Sequence, residues 1–465
     1  MFVLTVPNTL RPERLHAAEL VFGARLGAHY RVVFEERSDV ALSVDGFEGR
    51  TLIMPDLVLG AGDRNWPQSA PKPSDLPVQC RPEALDTALP AFPVLFGGAL
   101  GPGKWWHLDA SGGQCGIDIL GTTFWVLARV EELMNKSRDL YDRFAGRAAH
   151  AVRCSYIDRP IVDEMLLAFR ALLARLWPEL QLSWSSCRAF PTHDVDRPYK
   201  HLFQSPRGLI RTMATDLLRA RGLGNVWAAP SRWIRVKRGS DTADPYFTFD
   251  LLMDDSERQG LRCAFYFIAG RTGGALDGDY ELGHPRVRLL LRRIHRRGHE
   301  IGLHGSFNTF RNAAALAAEL HTLQTVCEQE GIQQASWGGR QHVLRFDSAA
   351  TPAVLEAAGL AYDSTLGYAD VSGFRCGTSL PFPLYDHRAR RTLTVVERPL
   401  TAMDVTLIGD RYERRTVADA IERVRALRRA CGAVGGEFVS LWHNCHLSSA
   451  REREIYQAAF RVNAA

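Results

Sequence analysis

Residues 188–196 read Arg188-Ala189-Phe190-Pro191-Thr192-His193-Asp194-Val195-Asp196, a strand-like run that ends on two carboxylates and an imidazole. Strand alternation puts Asp194 and Asp196 on one side of the chain. Two carboxylates side by side repel each other unless a cation lies between them or one takes up a proton. The pairing suits one metal ligand beside one general base. The competing account is a polar loop that caps the next helix.

Further strand-like segments follow at Arg262–Ile268, Glu300–Leu303, Ala335–Gly338, Leu393–Glu397 and Glu437–Trp442. Helical patterns separate most of them, at Gly208–Arg219, Phe247–Gln259, Val287–Arg297, Ala313–Glu330, Pro352–Ala358 and Val417–Cys431. Strand, helix, strand at this rhythm predicts a parallel sheet with right-handed crossovers, closing into a (β/α) barrel over residues 187–465. In such barrels the chemistry sits at the C-terminal strand ends. Residues 1–150 predict a smaller, separate α/β domain, with a helix over Pro12–Leu26 and strands at Tyr30–Phe34, Leu42–Val44, Thr51–Met54 and Pro93–Phe96. A second helical pattern covers Asp118–Met134, and residues 151–186, with a helix at Ile161–Leu176, read as the linker.

Four more polar groups fall near the ends of these segments. EIGLH (300–304) delivers His304, a candidate metal ligand, and Asn308 follows after a glycine turn. In Trp337–Arg345, Arg340 is placed to orient a catalytic aspartate, and Arg345 either holds a substrate anion or pairs with a structural acid. The glycine-rich loop around Arg375 reads as a pocket wall or a plain surface loop. FVSLW (438–442) delivers His443, a candidate general acid, while His446 reads as a core or supporting histidine.

Composition narrows the class. The chain has 465 residues, 46% hydrophobic and 23% charged, with a formal net charge of +5. Arg292, Arg293, Arg296 and Arg297 form one basic cluster, read as a solvated helix face; no nucleic-acid stripe is present. The 9 cysteines are scattered without a C-x-x-C pair, so neither a disulfide framework nor a zinc ribbon is expected. The N-terminus lacks a basic start followed by an apolar core, and no run is long enough to span a bilayer. A cytoplasmic location is the expectation.

Taken in order, these elements resemble the NodB-homology domain of polysaccharide deacetylases (carbohydrate esterase family four), over roughly Cys187 to Ser449. THDVD (192–196) is similar to the family's first motif, His304 to Asn308 to its histidine turn with Asn308 replacing the second histidine, Gly339–His342 to its arginine motif, and Leu441–His443 to its final motif. The runs DILGTTFWVLARVEE (118–132) and YIDRP (156–160) resemble the N-terminal signature of a divergent bacterial branch that precedes this domain with one of unknown function.

The resemblance implies a distorted (β/α) barrel and a metal-dependent hydrolase that removes an N-acyl group, N-acetyl first, from a sugar or glycan precursor. It implies Asp194 as base, Arg340 orienting it, and His443 as acid. It places Asp196, His304 and Asn308 on a divalent metal, zinc by expectation, with His193 or His342 as substitutes for the lost histidine. His342, Arg345, Arg375 and Trp442 are the candidate substrate contacts. The rival expectations are deformylation or another amide hydrolysis on the same scaffold, and a degenerate fold that only binds glycan or scaffolds a complex.

Overall fold

A computed structural model describes residues 1–82, 85–86, 90–109, 111–184, 186–218 and 223–460. The first sheet is built from β1 (Phe2–Pro7), β2 (Tyr30–Glu35), β3 (Asp39–Val44), β4 (Thr51–Pro55), β7 (Trp106–Asp109) and β8 (Gly112–Cys115), with β5 (Val78–Cys80) and β6 (Phe92–Val94) as a separate ribbon. Its order is β2-β1-β3-β4-β8-β7. The central strand β1, FVLTVP, was not among the expected strands. Buried on both faces, it is apolar at every position but Thr5 and shows no alternation.

The helix expected over Pro12–Leu26 runs from Arg11 to Ala18 and continues as a wider π-helical turn over Glu19–Arg25. The pattern at 118–134 is two helices, Ile119–Leu127 and Val130–Met134. They break at Arg129, whose φ of 56° lies in the left-handed region. Ile161–Leu176 is one helix, as its periodicity predicts. It packs into the first sheet's core, where Phe169 meets Phe22 at 6.3 Å.

The second sheet has nine strands: β9 (Arg188–Val195), β10 (Ala264–Ile268), β11 (Glu300–Gly305), β12 (Gly338–Gln341), β13 (Tyr362–Asp363), β14 (Phe382–Asp386), β15 (Arg391–Glu397), β16 (Ala402–Met403) and β17 (Glu437–Leu441). The order is β14-β15-β13-β12-β11-β10-β9-β17-β16, and every neighbouring pair is parallel except β14 with β15. The expected parallel β/α alternation is present, with two corrections. The strand expected at Ala335–Gly338 begins at Gly338. The barrel is not closed, because β14 and β16 end the sheet without pairing to each other, leaving a curled half-barrel. The helix expected at Gly208–Arg219 is observed over Pro206–Leu218, Arg219 lying outside the described residues. A further helix, Leu223–Lys237, carries Pro230 in its interior.

Small residues on neighbouring strands let two tyrosines fill the sheet's concave side. A Cβ on Gly302 would meet the Tyr266 ring at 2.5 Å, and one on Gly338 would overlap the Tyr362 ring. The two hydroxyls meet at 3.1 Å. The basic cluster on helix Pro285–Arg296 is paired: Arg292 meets Glu330, Arg293 meets Asp250, and Arg297 meets Asp254 and Glu257. Among the described residues no helix is long and apolar enough to cross a membrane.

The antiparallel edge of the second sheet is covered by the first helical segment. Tyr385 donates to Glu13 at 2.9 Å, Arg25 donates to the Pro381 carbonyl at 2.8 Å, and His16 Nδ1 lies 2.9 Å from Thr392 Oγ1. Covering an open edge removes a template for unwanted pairing. Burial, with His387 nearby, pushes the His16 imidazole down to about 3. A base whose pKa is lower folded than unfolded favours unfolding when protonated. Its contribution is full above about pH 6.5 and is lost as pH falls toward 3, a few kcal/mol at the limit by the order-of-magnitude conversion. Urea midpoints measured from pH 7.5 down to 4.5 are therefore expected to fall, and less steeply in His16→Gln. Equal slopes for both proteins would refute the role of His16.

Candidate active site

Parallel strands deliver their C-terminal residues to one rim. In β9 the alternation turns Asp194 and Asp196 to the rim's inner side and His193 to the opposite face. In register, His304 of β11 lies beside Arg340 of β12. The turn after β12 brings His342 in, and His443 follows β17.

These side chains converge. His304 Nε2 lies 3.5 Å from Asp194 Oδ2 and 3.4 Å from Asp196 Oδ1. His342 Nε2 is 3.8 Å from Asp196 Oδ1, and His443 Nε2 is 3.7 Å from Asp196 Oδ2. Arg340, fully buried, donates to Asp194 Oδ1 at 2.8 Å and to the carbonyl and hydroxyl of Ser364.

The far nitrogen of each imidazole is held by an acceptor. His304 Nδ1 faces the Arg340 carbonyl at 2.9 Å, His342 Nδ1 faces Asp277 at 2.9 Å, and His443 Nδ1 faces Asp404 at 2.8 Å. A carbonyl or carboxylate can only accept, so each Nδ1 carries hydrogen and each Nε2 points at the Asp196 carboxylate. This arrangement orients histidine ligands and fixes their tautomer.

Electrostatics separate the groups. Burial would raise the Asp196 carboxyl, but His304, His443 and His342 outweigh it and hold it well below the usual range. Burial would lower His304, yet Asp194 and Asp196 raise it. Burial also opposes the charge on His443, but Asp404 raises it to about 9. Asp404 in turn is held far down by His443 and His446 against its own burial.

The donor set fits a divalent cation. Asp196, His304 and His342 each offer an atom within 4.8 Å of the others. Asp196 Oδ1 is buried and makes no hydrogen bond. Two imidazoles and one carboxylate with open positions is a zinc-type catalytic ligand set.

The group opens into a cavity of about 400 Å³. Leu441 and Met403 line it from the second sheet, Tyr412 from the loop after β16, and Tyr141 and Arg143 from the N-terminal part. Val343, β-branched, sits on this wall at φ 53°, a strained conformation, and its carbonyl accepts from Arg143 at 2.7 Å. A larger cavity of about 790 Å³ opens at the other end of the sheet, by Arg188, Glu300 and Glu437, but it contains none of these convergent groups.

Several expected residues lie elsewhere. Asn308 donates to the Thr272 carbonyl at 2.8 Å and accepts from Arg345 at 3.0 Å, so both ends of its amide are engaged away from Asp196. His342, expected as a substrate contact or a substitute ligand, lines the cavity and turns Nε2 toward Asp196. His193 points to the sheet's other face, with Nδ1 2.9 Å from the Trp442 carbonyl and its ring against Phe265; burial lowers it to about 4. Arg345 is stacked between Phe307 and Phe310 and donates to the Tyr141 and Phe307 carbonyls. Arg375 pairs with Glu132 at 2.8 Å, and Trp442 is fully buried against Tyr456. None of the three lines the Asp196 cavity.

Sequence reading missed Asp277 and Asp404, which hold His342 and His443, and undervalued His446, which faces Asp404 at 3.2 Å. Asp404 does carry a local signal, an acid directly after the short apolar pair Ala402–Met403. Asp277 carries none, because a loop brings it in.

Residues 3–178 match the model of a family of unknown function (DUF7033). No protein of curated function matches the chain. Three solved structures are similar over 59% of this chain. One is described as a polysaccharide deacetylase from Mycobacterium smegmatis, 20% identical over 84% of that chain, with a TM-score of 0.38. Another is PuuE allantoinase, 11% identical over 82% of that chain, TM-score 0.35. The third is described as a polysaccharide deacetylase from Pseudomonas aeruginosa PAO1, 12% identical over 83% of that chain, TM-score 0.34.

Proposed function

We propose that this protein is a metal-dependent hydrolase that removes an N-acyl group, N-acetyl first among candidates, from a sugar or glycan precursor. One observation carries the reading. A carboxylate fixed by a buried arginine, a second carboxylate facing two oriented imidazoles, and a third imidazole on a buried aspartate all meet at one cavity.

Asp196, His304 and His342 would hold the cation. Once bound, the cation supplies polarisation of the acyl carbonyl and acidifies water. Asp194 takes the proton from the attacking water through Oδ2, its other oxygen being held by Arg340. His443, whose charged form Asp404 favours, gives a proton to the departing amine. Asp404 fixes the donor's orientation from behind, at 2.8 Å. A glycan-binding module needs no such pairing of an oriented base with an oriented acid.

The test is elemental analysis of protein purified without chelator, followed by a screen of N-acylated amino sugars. Asp196→Ala, His304→Ala and His342→Ala are each expected to lose about one equivalent of divalent metal, while Asn308→Ala loses none. Metal retained in His342→Ala but lost in Asn308→Ala would return the site to the ligand set expected from sequence. A parent that takes up no metal at this site after reconstitution would move the binding-module reading to first place.

A further inference from the structure

We infer that Asp75, His150 and Cys154 form a second divalent-metal site of zinc type, in the N-terminal part of the chain and independent of the proposed reaction. None of the three lines the Asp196 cavity.

His150 begins the short helix His150–Arg153, and Cys154 follows it, four positions on and so on the same face. Cys154 Sγ lies 3.4 Å from His150 Nε2, and Asp75 Oδ1 lies 3.9 Å from the same nitrogen. The three ligand atoms are all within 4.8 Å of one another. Tetrahedral zinc, with sulfur at about 2.3 Å and nitrogen at about 2.1 Å, separates those two ligands by roughly 3.5 Å. The observed sulfur–nitrogen spacing of 3.4 Å is within a few tenths of an ångström of it.

The surroundings are built to orient the imidazole. His150 is buried, its backbone N–H donates to Glu131 Oε1 at 2.6 Å, and Nδ1 lies 2.6 Å from the Tyr156 hydroxyl. That hydroxyl can accept from Nδ1–H, the tautomer a metal on Nε2 requires. Nε2 lies 3.0 Å from the Ser74 carbonyl. Asp75 arrives from the proline-rich loop, 75 positions before His150, and is held near by an exposed pair with Arg153 at 2.9 Å. Such a pair is worth under about 1 kcal/mol and yields readily to a metal. A cavity of about 450 Å³, lined also by Glu131, leaves room for a fourth ligand.

A nucleophilic Cys–His pair is the other use of these groups. The structure disfavours it, since the Cys154 thiol also lies 3.2 Å from the Asp75 backbone carbonyl, which draws its hydrogen away from the imidazole. A bound cation makes the thiolate a ligand.

Cobalt(II) separates this site from the Asp196 group, which contains no sulfur. The full chain loaded with cobalt is expected to show a thiolate-to-cobalt charge-transfer band in the near ultraviolet. The band is expected to persist in His304→Ala and to vanish in Cys154→Ser and His150→Ala, with one equivalent of metal lost. Asp75→Asn, an exposed change that leaves folding intact, is expected to weaken cobalt binding roughly tenfold or more. No band in the parent at excess cobalt, or a band that survives in Cys154→Ser, overturns the inference and leaves the hydrolase reading untouched.

Discussion

Asp194→Asn is expected to lower turnover by roughly 10²–10⁴-fold, the range for loss of a positioned general base. The amide keeps the shape and an acceptor oxygen for Arg340, but it cannot take a proton from water. Metal content is expected to stay at the parent's level, because Asp196, His304 and His342 are the proposed ligands. The readout is kcat with KM little changed, as befits a group that acts in the chemical step. Some stability is lost as well, since Arg340 is fully buried and faces a neutral partner in the variant. Unfolding curves taken alongside the kinetics separate that effect from the catalytic one. Turnover within a few-fold of the parent, in folded protein with metal bound, would remove Asp194 from the base role.

Glu132→Gln is expected to destabilise the protein by about 3–5 kcal/mol, the cost of breaking a buried ion pair from one side. Glu132 is 2% exposed and joins the two halves of the chain. Its Oε1 accepts from Arg129 at 3.0 Å and from Arg375 at 2.9 Å; its Oε2 accepts from Arg375 at 2.8 Å and from Ser348 at 2.7 Å. Without the carboxylate, two buried guanidinium groups face each other uncompensated. Burial opposes the charge on Glu132, but Arg375 and Arg129 hold the carboxyl down at about 2. An acid with a folded pKa below its unfolded value stabilises the fold above about pH 4.5. That stability is lost as pH falls toward 2, so the gap between parent and Glu132→Gln is expected to close on acidification. Replacing Glu132 and Arg375 together by apolar residues of similar volume is expected to recover part of the loss, because the residual charge goes too. A Glu132→Gln protein whose denaturation midpoint matches the parent's at neutral pH would refute this account of the junction.

The site illustrates how far local reading reaches. Asp194, Asp196, His304 and His443 end apolar strand runs, so period-two alternation places them before any fold is known. Arg340 lay in a segment whose strand was expected too early, yet its motif still marked it. Asn308 and His342 show the limit. Both follow a strand within a few residues, and nothing local tells which turn bends back toward Asp196. Val343 and Leu344, held at positive φ, bend the chain after His342, and Arg143 pins that bend from the N-terminal part. Asn308 is drawn off by Thr272 and Arg345, partners that only folding brings near.

The sequence by itself determined the parallel β/α alternation of the second half, because repeated apolar runs and amphipathic helices are properties of neighbouring residues. It also placed two acids and two histidines at or just past strand ends. Only the tertiary structure decided that the sheet stays open, since that depends on β14 reversing against β15 and on the N-terminal helix covering the edge. It alone decided that Asp277 and Asp404 stand behind His342 and His443, and that Arg345, Arg375 and Trp442 are engaged away from the Asp196 cavity. Those assignments rest on which side chains meet across 14 to 243 positions of chain, and the free energy of such meetings has no local signature.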